Sequence, residues 1–284
     1  MKHATIISCI RTMTAKTELV RGSSVKGMRY TVMTFTSCNG GKTYRRETMS
    51  HFKTRTEADA GFRSLVHPVT LALYEGLCRD HGGKMSGVVS FSTLCDINPR
   101  CIERMKAGNS ICAHCFAHTQ LKRQASHRAK LARNTAIITA SVYSASYFPI
   151  IDDFDLFRFE SFGDLINPVQ AANYMTWAAV NKRMACALWT KNPDILYKAI
   201  SEGTAKKPHN LNIVYSSPAV NVSAENVRRL YPLDNGEMLI DKVFTVYDKK
   251  AARDVEINCG ARSCNTCRRC YRKNTGVMVR EKLK

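Results

Sequence analysis

Residues 185–217 read ACALWTKNPDILYKAISEGTAKKPHNLNIVYSS. An apolar run at 185–191 is followed by a helix-forming segment at 192–201 and by a second apolar run at 211–217. A strand, a crossover helix and a second strand form the repeating unit of a parallel sheet. Both runs are continuously apolar, which is typical of strands that are covered on both faces. The stretch therefore predicts an α/β fold.

The same alternation continues on both sides of this stretch. We predict parallel strands at residues 87–93, 156–162, 185–191, 211–217 and 242–248. We predict helices within 117–147, from Pro168 onward, at 192–201 and at 223–231, where Ser223 would be the N-cap. Together these elements predict a partial or irregular (β/α) barrel of the TIM type over residues 84–258.

The N-terminal residues 1–83 carry a different pattern. The segments 28–36 and 42–48 read as two strands joined by a Gly-containing turn. A helix should follow from about Thr56, with Thr54 or Thr56 as its cap, and Pro68 should break it in two. We predict a small basic module here, made of a β-hairpin and a helix.

Each predicted barrel strand ends on polar residues. The ends are Gly163-Asp164, Thr190-Lys191, Ser216-Ser217 and Tyr247-Asp248. Polar residues often mark only the turn after a strand. The carboxyl ends of parallel barrel strands, however, share one rim, which is where such folds carry their chemistry. We interpret Lys191 and Asp248 as candidate catalytic residues that would contact substrate, and Ser216 as a candidate cofactor contact.

Twelve cysteines stand out in a chain long enough to bury a full core without disulfides. Cys9, Cys38, Cys78 and Cys186 stand alone, and we interpret each as a small buried apolar residue. The other eight form two sets of candidate metal ligands. The first thiol set is Cys95, Cys101, Cys112 and Cys115, and the second thiol set is Cys259, Cys264, Cys267 and Cys270.

The second thiol set lies in residues 259–284, a cysteine-rich segment with a basic tail, and its spacing is C-x4-C-x2-C-x2-C. Three ligands in one tight loop resemble the loops that hold a 4Fe–4S cluster. Structural zinc more often uses two separated C-x2-C pairs, but zinc remains an alternative. The first thiol set, C-x5-C-x10-C-x2-C, is less specific. It suits zinc with His114 or His118 as a ligand, or a catalytic cluster because it follows the first barrel strand.

The net charge is +20, with 43 Lys/Arg against 23 Asp/Glu. Residues 1–56 hold 11 Lys/Arg against 2 acids, residues 104–133 hold 7 against none, and residues 262–284 hold 8 against 1. Such excess favours a polyanionic partner, a nucleic acid or a nucleotide, over a merely solvated basic face. The candidate contacts are Lys122, Arg123, Arg128, Lys130 and Arg133. No long apolar segment or signal peptide is evident, so we expect a cytoplasmic protein without a membrane partner.

The order of several short motifs resembles a bacteriophage family known as gene product eighty-eight. The motifs are Lys84-Met-Ser-Gly-Val-Val-Ser-Phe-Ser-Thr before Cys95, then Cys112-Ala-His-Cys115-Phe-Ala, Gly163-Asp164, Thr190-Lys191-Asn192 and the second thiol set. The resemblance covers about residues 84–271. It implies an iron–sulfur protein made by a phage and located in the host cytoplasm.

That family in turn resembles radical S-adenosylmethionine enzymes. The resemblance implies that Cys112, Cys115 and one of Cys95 or Cys101 hold a cluster, and that Gly163 and Asp164 lie beside S-adenosylmethionine. The usual C-x3-C-x2-C motif is absent here, because ten residues separate Cys101 from Cys112. The sequence thus predicts two iron–sulfur clusters, with zinc as the alternative.

Two functions follow from these features. The first is a radical-SAM-like iron–sulfur enzyme that acts on nucleic acid or nucleotides. The second is a non-enzymatic nucleic-acid-binding protein for host takeover, stabilised by zinc or iron–sulfur. A thiol–disulfide enzyme built on Cys112 and Cys115 is a weaker third interpretation, because the surrounding sequence lacks a thioredoxin-like unit.

Overall fold

The computed structural model describes residues 5–79, 81–108, 110–260 and 263–283. The chain divides into two compact units. The first runs to Glu75 and also includes Tyr143–Asp152, and the second contains Gly76–Val142 and the chain from Asp153 onward. None of the helices in the described ranges is long and apolar enough to cross a membrane.

The first unit is built on a four-stranded antiparallel sheet. Its strands are β1 (Thr5–Arg11), β2 (Ala15–Arg21), β3 (Tyr30–Ser37) and β4 (Tyr44–Phe52), in the spatial order β1-β2-β3-β4. The predicted hairpin corresponds to β3 and β4. Predicting only a hairpin was wrong, because β1 and β2 add two further strands beside it. The apolar residues of these two strands, such as Ile10 and Leu19, pack on the buried Val32. This packing, and not the local sequence, identifies the two segments as strands of the sheet.

Two helices follow this sheet, α1 (Arg55–Ser64) and α2 (Pro68–Gly76). Thr54 is the N-cap of α1, and it forms a capping box in which its side chain and that of Glu57 bond each other's backbone N–H groups. The predicted cap and the predicted break at Pro68 are both confirmed. Phe62 and Ala58 of α1 are buried against the sheet.

The second unit contains a six-stranded parallel sheet. Its strands are β5 (Val89–Phe91), β6 (Leu156–Phe159), β7 (Ala185–Thr190), β8 (Leu211–Val220), β9 (Lys242–Tyr247) and β10 (Met278–Lys282), in the order β10-β9-β8-β7-β6-β5. Its helices are α3 (Pro99–Lys106), α4 (Phe116–Leu121), α5 (Ala125–Ile138), α6 (Pro168–Val180), α7 (Pro193–Ser201) and the single turn α8 (Cys264–Cys267). The predicted α/β class with parallel strands is confirmed.

Several element boundaries differ from the prediction. β6 ends at Phe159 because Glu160 has a φ of 60°, in the left-handed region that breaks a strand. Residues 223–231 form a 3₁₀ turn at Glu225–Leu230 instead of an α-helix, and Ala224 precedes the turn, so the assignment of Ser223 as its cap was wrong. The edge strand β10 was missed, because only the first two residues of its MVREK sequence are apolar, which is too short for a continuous apolar run.

Both faces of the parallel sheet are covered, as the continuous apolar strands predicted. On one face, Phe157 and Phe159 pack on Trp177 and Tyr174 of α6, and all four side chains are fully buried. On the other face, Leu156, Ala187 and Val214 form a core cluster with Tyr271 from the segment that carries the second thiol set. The polar strand ends and both thiol sets are therefore held by a packed scaffold.

Candidate metal centres

The first thiol set lies on short turns that follow β5. Cys95 begins the 3₁₀ turn Cys95–Ile97, and Cys101 lies in the first turn of α3, where the Asn98 side chain caps the backbone N–H of Cys101. Cys112 lies in the turn Ile111–His114, whose cap is Ser110, and Cys115 is the N-cap of α4. The Asn98 and Ser110 side chains thus fix the backbone of two of these turns, and all four thiols are presented from one loop region.

The four thiols of this set influence one another electrostatically. A hydrogen bond with Cys115, together with burial, raises the pKa of Cys95 far above its usual value. The same hydrogen bond lowers the pKa of Cys115, and the backbone N–H groups of His118 and Ala117 at the start of α4 act in the same direction. The two pKa shifts have opposite directions, so Cys115 has the greater thiolate character of this pair. Burial also raises the pKa of Cys101, and the nearby Cys112 and Cys115 add to it.

Lys191 lies close to this set. Its positive charge lowers the pKa of both Cys101 and Cys115. Its ammonium also donates a hydrogen bond to the Ser216 hydroxyl at 3.2 Å. The structure therefore brings together the predicted residues Lys191 and Ser216 beside the first thiol set. Lys191 directly follows β7, whereas Ser216 lies within β8, which continues to Val220 instead of ending at residue 217 as predicted.

Asp164 is buried and joins the ends of β6 and β7. Its carboxylate accepts hydrogen bonds from the Thr190 hydroxyl at 2.6 Å, from the Lys191 backbone N–H at 3.0 Å and from its neighbour Leu165 at 2.8 Å. An Nη1 atom of Arg104 lies 3.9 Å away, and this buried atom has no hydrogen-bond partner among the described residues. Hydrogen-bond donors of the protein hold this carboxylate. Its role in this structure is therefore to fix the position of the chain after β6 relative to the end of β7.

Gly163 has a packing reason to be glycine. A Cβ atom added there would lie 2.6 Å from the Thr93 carbonyl oxygen and 2.7 Å from Oε2 of Glu160, and closer still to the Thr93 hydroxyl. Such distances are not compatible with a side chain. The Gly-Asp pair that the sequence indicated as a cofactor contact therefore also shapes the junction between β5 and β6.

Asp248 lies apart from the other candidates. It is half-buried, and it accepts hydrogen bonds from the backbone N–H groups of Lys250 and Ala251 and from the Asn221 side chain. These bonds, with that of Ala251 the largest influence, lower its pKa. The contacts are those of a turn cap after β9, and no contact joins Asp248 to Lys191 or to either thiol set in the described residues.

The second thiol set covers the sheet face opposite α6. Cys259 pairs with Glu281 of β10 in an isolated parallel bridge, Cys264 and Cys267 begin and end α8, and Cys270 follows in the turn Arg269–Tyr271. Arg268 reverses the chain between the last two with a φ of 52°. Three of the four thiols pack against the core cluster around Val214. The local chain path therefore converges on one buried region.

Two cations accompany the second thiol set. The ammonium of Lys84 donates to the Cys259 sulfur at 3.0 Å and to the Glu281 carboxylate at 2.8 Å. The guanidinium of Arg158 stacks on the Trp189 ring at 4.2 Å. Burial raises the pKa of Cys270 to about 12 and that of Cys264 above its usual value, while Arg158 opposes both shifts. The cations thus favour the thiolate forms that a metal requires.

The donor chemistry suits a thiophilic metal, but ligand geometry is not preformed. Across residues 5–79, 81–108, 110–260 and 263–283, no three His, Cys, Asp or Glu side chains are arranged to hold a metal ion. All twelve cysteines are free thiols. Four neighbouring thiols at each place fit soft metal ions or an iron–sulfur cluster by ligand type. Binding would therefore require the cysteine side chains to move into coordination.

The side chain of His118 contacts a carboxylate, and this contact bears on the zinc alternative. Its Nδ1 atom lies 2.6 Å from the carboxylate of Asp96, which also receives Nε of Arg128 at 3.0 Å. A carboxylate bound to one ring nitrogen is the usual arrangement behind a metal-binding histidine. His114, the other histidine of this loop, is exposed.

Sequence reasoning missed Glu160, which lies at the centre of the rim. Its fully buried carboxylate accepts hydrogen bonds from the Thr93 backbone N–H at 3.1 Å, the Gln170 amide at 2.7 Å and the Tyr174 hydroxyl. Burial raises its pKa to about 7, and the donors from Tyr174 and Thr93 oppose that shift. The signal in the sequence was Glu160 itself, an acidic residue directly after the run LFRF. The prediction included this residue in the strand at 156–162.

The four isolated cysteines differ in how deeply they are buried. Cys186 is fully buried, as predicted, whereas Cys9 and Cys78 are half-buried. Cys38 is exposed, so its assignment as a buried apolar residue was wrong. It lies between β3 and β4, where a tight turn leaves no core to receive it.

Comparisons of the chain with protein-family models, with curated proteins and with solved structures gave no match.

Proposed function

We propose that this chain is an iron–sulfur protein that holds a cluster at each thiol set and binds or acts on nucleic acid or nucleotides. The observation that carries the proposal is that four thiols lie in the same region at each of two places, each beside a cation, although the side chains would have to move to coordinate a metal. Lys191 accompanies the first set, and Lys84 accompanies the second. Clusters with thiolate ligands are anionic, and neighbouring cations would offset that charge.

A catalytic role is supported at the first thiol set. It adjoins Lys191, which directly follows β7, and Ser216 of the neighbouring strand β8, near the edge where parallel α/β folds carry their sites. Under the resemblance to the phage family and to radical S-adenosylmethionine enzymes, the parallel sheet would form a partial barrel. The chemistry that a reduced cluster supplies in that class is reductive cleavage of S-adenosylmethionine.

The chain's own residues would have separate roles in this proposal. Cys112, Cys115 and one of Cys95 or Cys101 would hold the first cluster, and the second thiol set would hold a structural or electron-relaying cluster. Lys191 would contact substrate, because its ammonium has only the Ser216 hydroxyl as a described partner. Gly163 and Asp164 would shape the adjoining cofactor site and keep its backbone in place.

A second candidate is a zinc-stabilised nucleic-acid-binding protein without catalytic activity. The contact between Asp96 and Nδ1 of His118 favours it, since this contact leaves the other ring nitrogen to a metal. A site of mixed cysteine and histidine ligands is common for structural zinc. In that case the first thiol set would stabilise the loop, and Lys191 would have no chemical role.

Metal and acid-labile sulfide content distinguish the two candidates. The protein would be purified without oxygen, and iron, zinc and sulfide would be counted per chain. We expect about eight irons and about eight sulfides. Zinc without sulfide would replace the first candidate by the second, and a chain without either metal would overturn both. Cys38→Ser is the matched control, because Cys38 is exposed and lies outside both sets.

A further inference from the structure

An open groove lies next to the first thiol set. Its volume is about 470 Å³, and its lining consists of Phe116, Thr119, Gln120, Arg123 and Gln124. Phe116 directly follows Cys115, and its ring lies 5.8 Å from that of Phe162, which directly precedes Gly163. The groove therefore adjoins the rim on which the candidate site is built.

Phe116 is exposed to an extent that folding alone does not explain. Its side chain is 63% exposed, although a phenylalanine in this loop would ordinarily be buried. Phe162 is only half-exposed and makes a second aromatic contact, with His127 at 4.7 Å. An aromatic ring supported at one edge and open to solvent is a surface on which another planar group stacks.

Polar groups of the groove suit a nucleobase and its phosphate. Gln120 and Gln124 provide amide donors and acceptors, and Arg123 provides a guanidinium at the same groove. Arg123 is exposed and forms no ion pair with any acidic residue that the structure describes. Residues 104–133 contain no Asp or Glu, so the groove belongs to a cationic segment that has no acidic residues of its own.

Some of the nearby cationic side chains bind other residues of this protein. This leaves fewer candidates for the contact with a ligand phosphate. Arg128 pairs with Asp96 at 3.0 Å, and Lys130 donates to the Leu77 carbonyl oxygen at 2.8 Å. These two candidates from the sequence therefore have structural partners. Arg123, which lines the groove beside the exposed ring, is the one placed to meet a ligand there.

We infer that this groove binds single-stranded nucleic acid, with one unpaired base stacked on Phe116 and a neighbouring phosphate contacted by Arg123. The inference deepens the proposed function, on which it rests, by naming the form of nucleic acid that reaches the rim. A duplex does not fit this arrangement, because the faces of its bases are covered by neighbouring base pairs. An unpaired base leaves its face free for an aromatic ring.

Fluorescence anisotropy with a labelled deoxythymidine oligomer of about twelve nucleotides tests the stacking. The full chain is used, with metal and sulfide content measured on each preparation. We expect Phe116→Ala to weaken binding by about tenfold or more, and Phe116→Trp to restore it. Leu230→Ala is the matched control, because Leu230 is 68% exposed and lies outside the groove, and its affinity should equal that of the wild type.

The salt dependence of binding tests the role of Arg123 separately. For a single strand, the loss of one phosphate contact should reduce the slope of log K against log salt by about 0.7. We expect this change for Arg123→Ala and not for Phe116→Ala. Arg229→Ala, at another exposed arginine, should leave the slope unchanged.

Either of two comparisons would overturn the inference, and so would a third result, the absence of binding. One is wild-type affinity of Phe116→Ala for the oligomer, and the other is equal or tighter binding of a duplex of the same length. Absence of any oligomer binding by metal-loaded wild-type protein would overturn it as well. Because metal content is measured on the same samples, loss of the groove proposal and loss of the iron–sulfur proposal are separate outcomes.

Discussion

The ammonium of Lys84 donates a hydrogen bond to the sulfur of Cys259 across 3.0 Å, although 175 residues separate them in the chain. The same ammonium bonds the carboxylate of Glu281 at 2.8 Å. Burial alone would lower the pKa of Lys84, but these two partners outweigh it and raise the pKa well above its usual value. One lysine thus joins the start of the second unit to its last strand and to a candidate metal ligand.

Replacing Lys84 by methionine should destabilise the protein and weaken metal retention at the second thiol set. The half-buried Glu281 would lose its ion partner, and we expect the free energy of unfolding to fall by about 1–3 kcal/mol. Urea unfolding measures this loss, and metal release to a chelator measures the second effect. Lys198→Met is the control, since Lys198 forms an exposed pair with Glu202 at 3.7 Å that should contribute less than about 1 kcal/mol. Equal effects of the two substitutions would contradict the role assigned to Lys84.

Glu160 should make stability fall as the pH rises from about 5 to 7. In the folded chain burial raises its pKa from 4.5 to about 7. Between these values the folded state binds more protons than the unfolded state, so the free energy of unfolding decreases with rising pH. The change is on the order of 3 kcal/mol at most. Urea unfolding across this range should show the slope in the wild type and a flatter profile in Glu160→Gln. The exposed Glu256 provides the control variant Glu256→Gln, which should keep the wild-type slope.

Gly163→Ala should destabilise the fold whether or not a cofactor is bound. The new methyl group would meet Thr93 and Glu160 at distances below those of ordinary contacts, and we expect a loss of about 1–3 kcal/mol in urea unfolding. Gly82→Ala is the matched control, because an added Cβ there has nothing within 4 Å. Normal stability of Gly163→Ala would show that the glycine serves only ligand approach.

Serine substitutions should distinguish Cys95 from Cys101 as the third ligand at the first thiol set. Cys115 is the largest influence on the pKa of Cys95, so these two thiols lie near each other. We expect Cys95→Ser and Cys115→Ser to lose the metal of this set, and Cys101→Ser to retain it, with iron and sulfide counted per chain. The reverse result for Cys95 and Cys101 would assign the ligand to α3 instead. In each variant, the metal of the second thiol set should remain.

The sequence predicted the parallel sheet more reliably than its boundaries. The alternation within 185–217 led directly to β7, α7 and β8, because continuous apolar strands and crossover helices are local patterns. The early end of β6 was not predicted, since it depends on Glu160, whose left-handed backbone is held by contacts with Thr93 and Tyr174. The missed strand β10 depends on pairing with β9 along one edge.

The candidate site was predicted in its residue types and only partly in its arrangement. Lys191 and Ser216 do meet, because Lys191 directly follows β7 and Ser216 lies beside it in the neighbouring parallel strand β8. Asp248 was grouped with them for the same reason, yet it caps the turn after β9. The rule that parallel strands share one carboxyl edge predicts the edge of the sheet on which a side chain lies. The path of the loop that follows each strand then decides which residues that side chain contacts.

By itself, the sequence determined the α/β class, the order of the parallel strands β5 to β9, the existence of two thiol sets and the uneven distribution of positive charge. These properties depend on periodicity, spacing and composition, which are all local. Only the tertiary structure decided that Lys84 reaches Cys259, that Glu160 is buried among donors and that Phe116 stays exposed beside Arg123. Each of those facts depends on segments far apart in the chain, which sheet order and packing bring together or leave open to solvent.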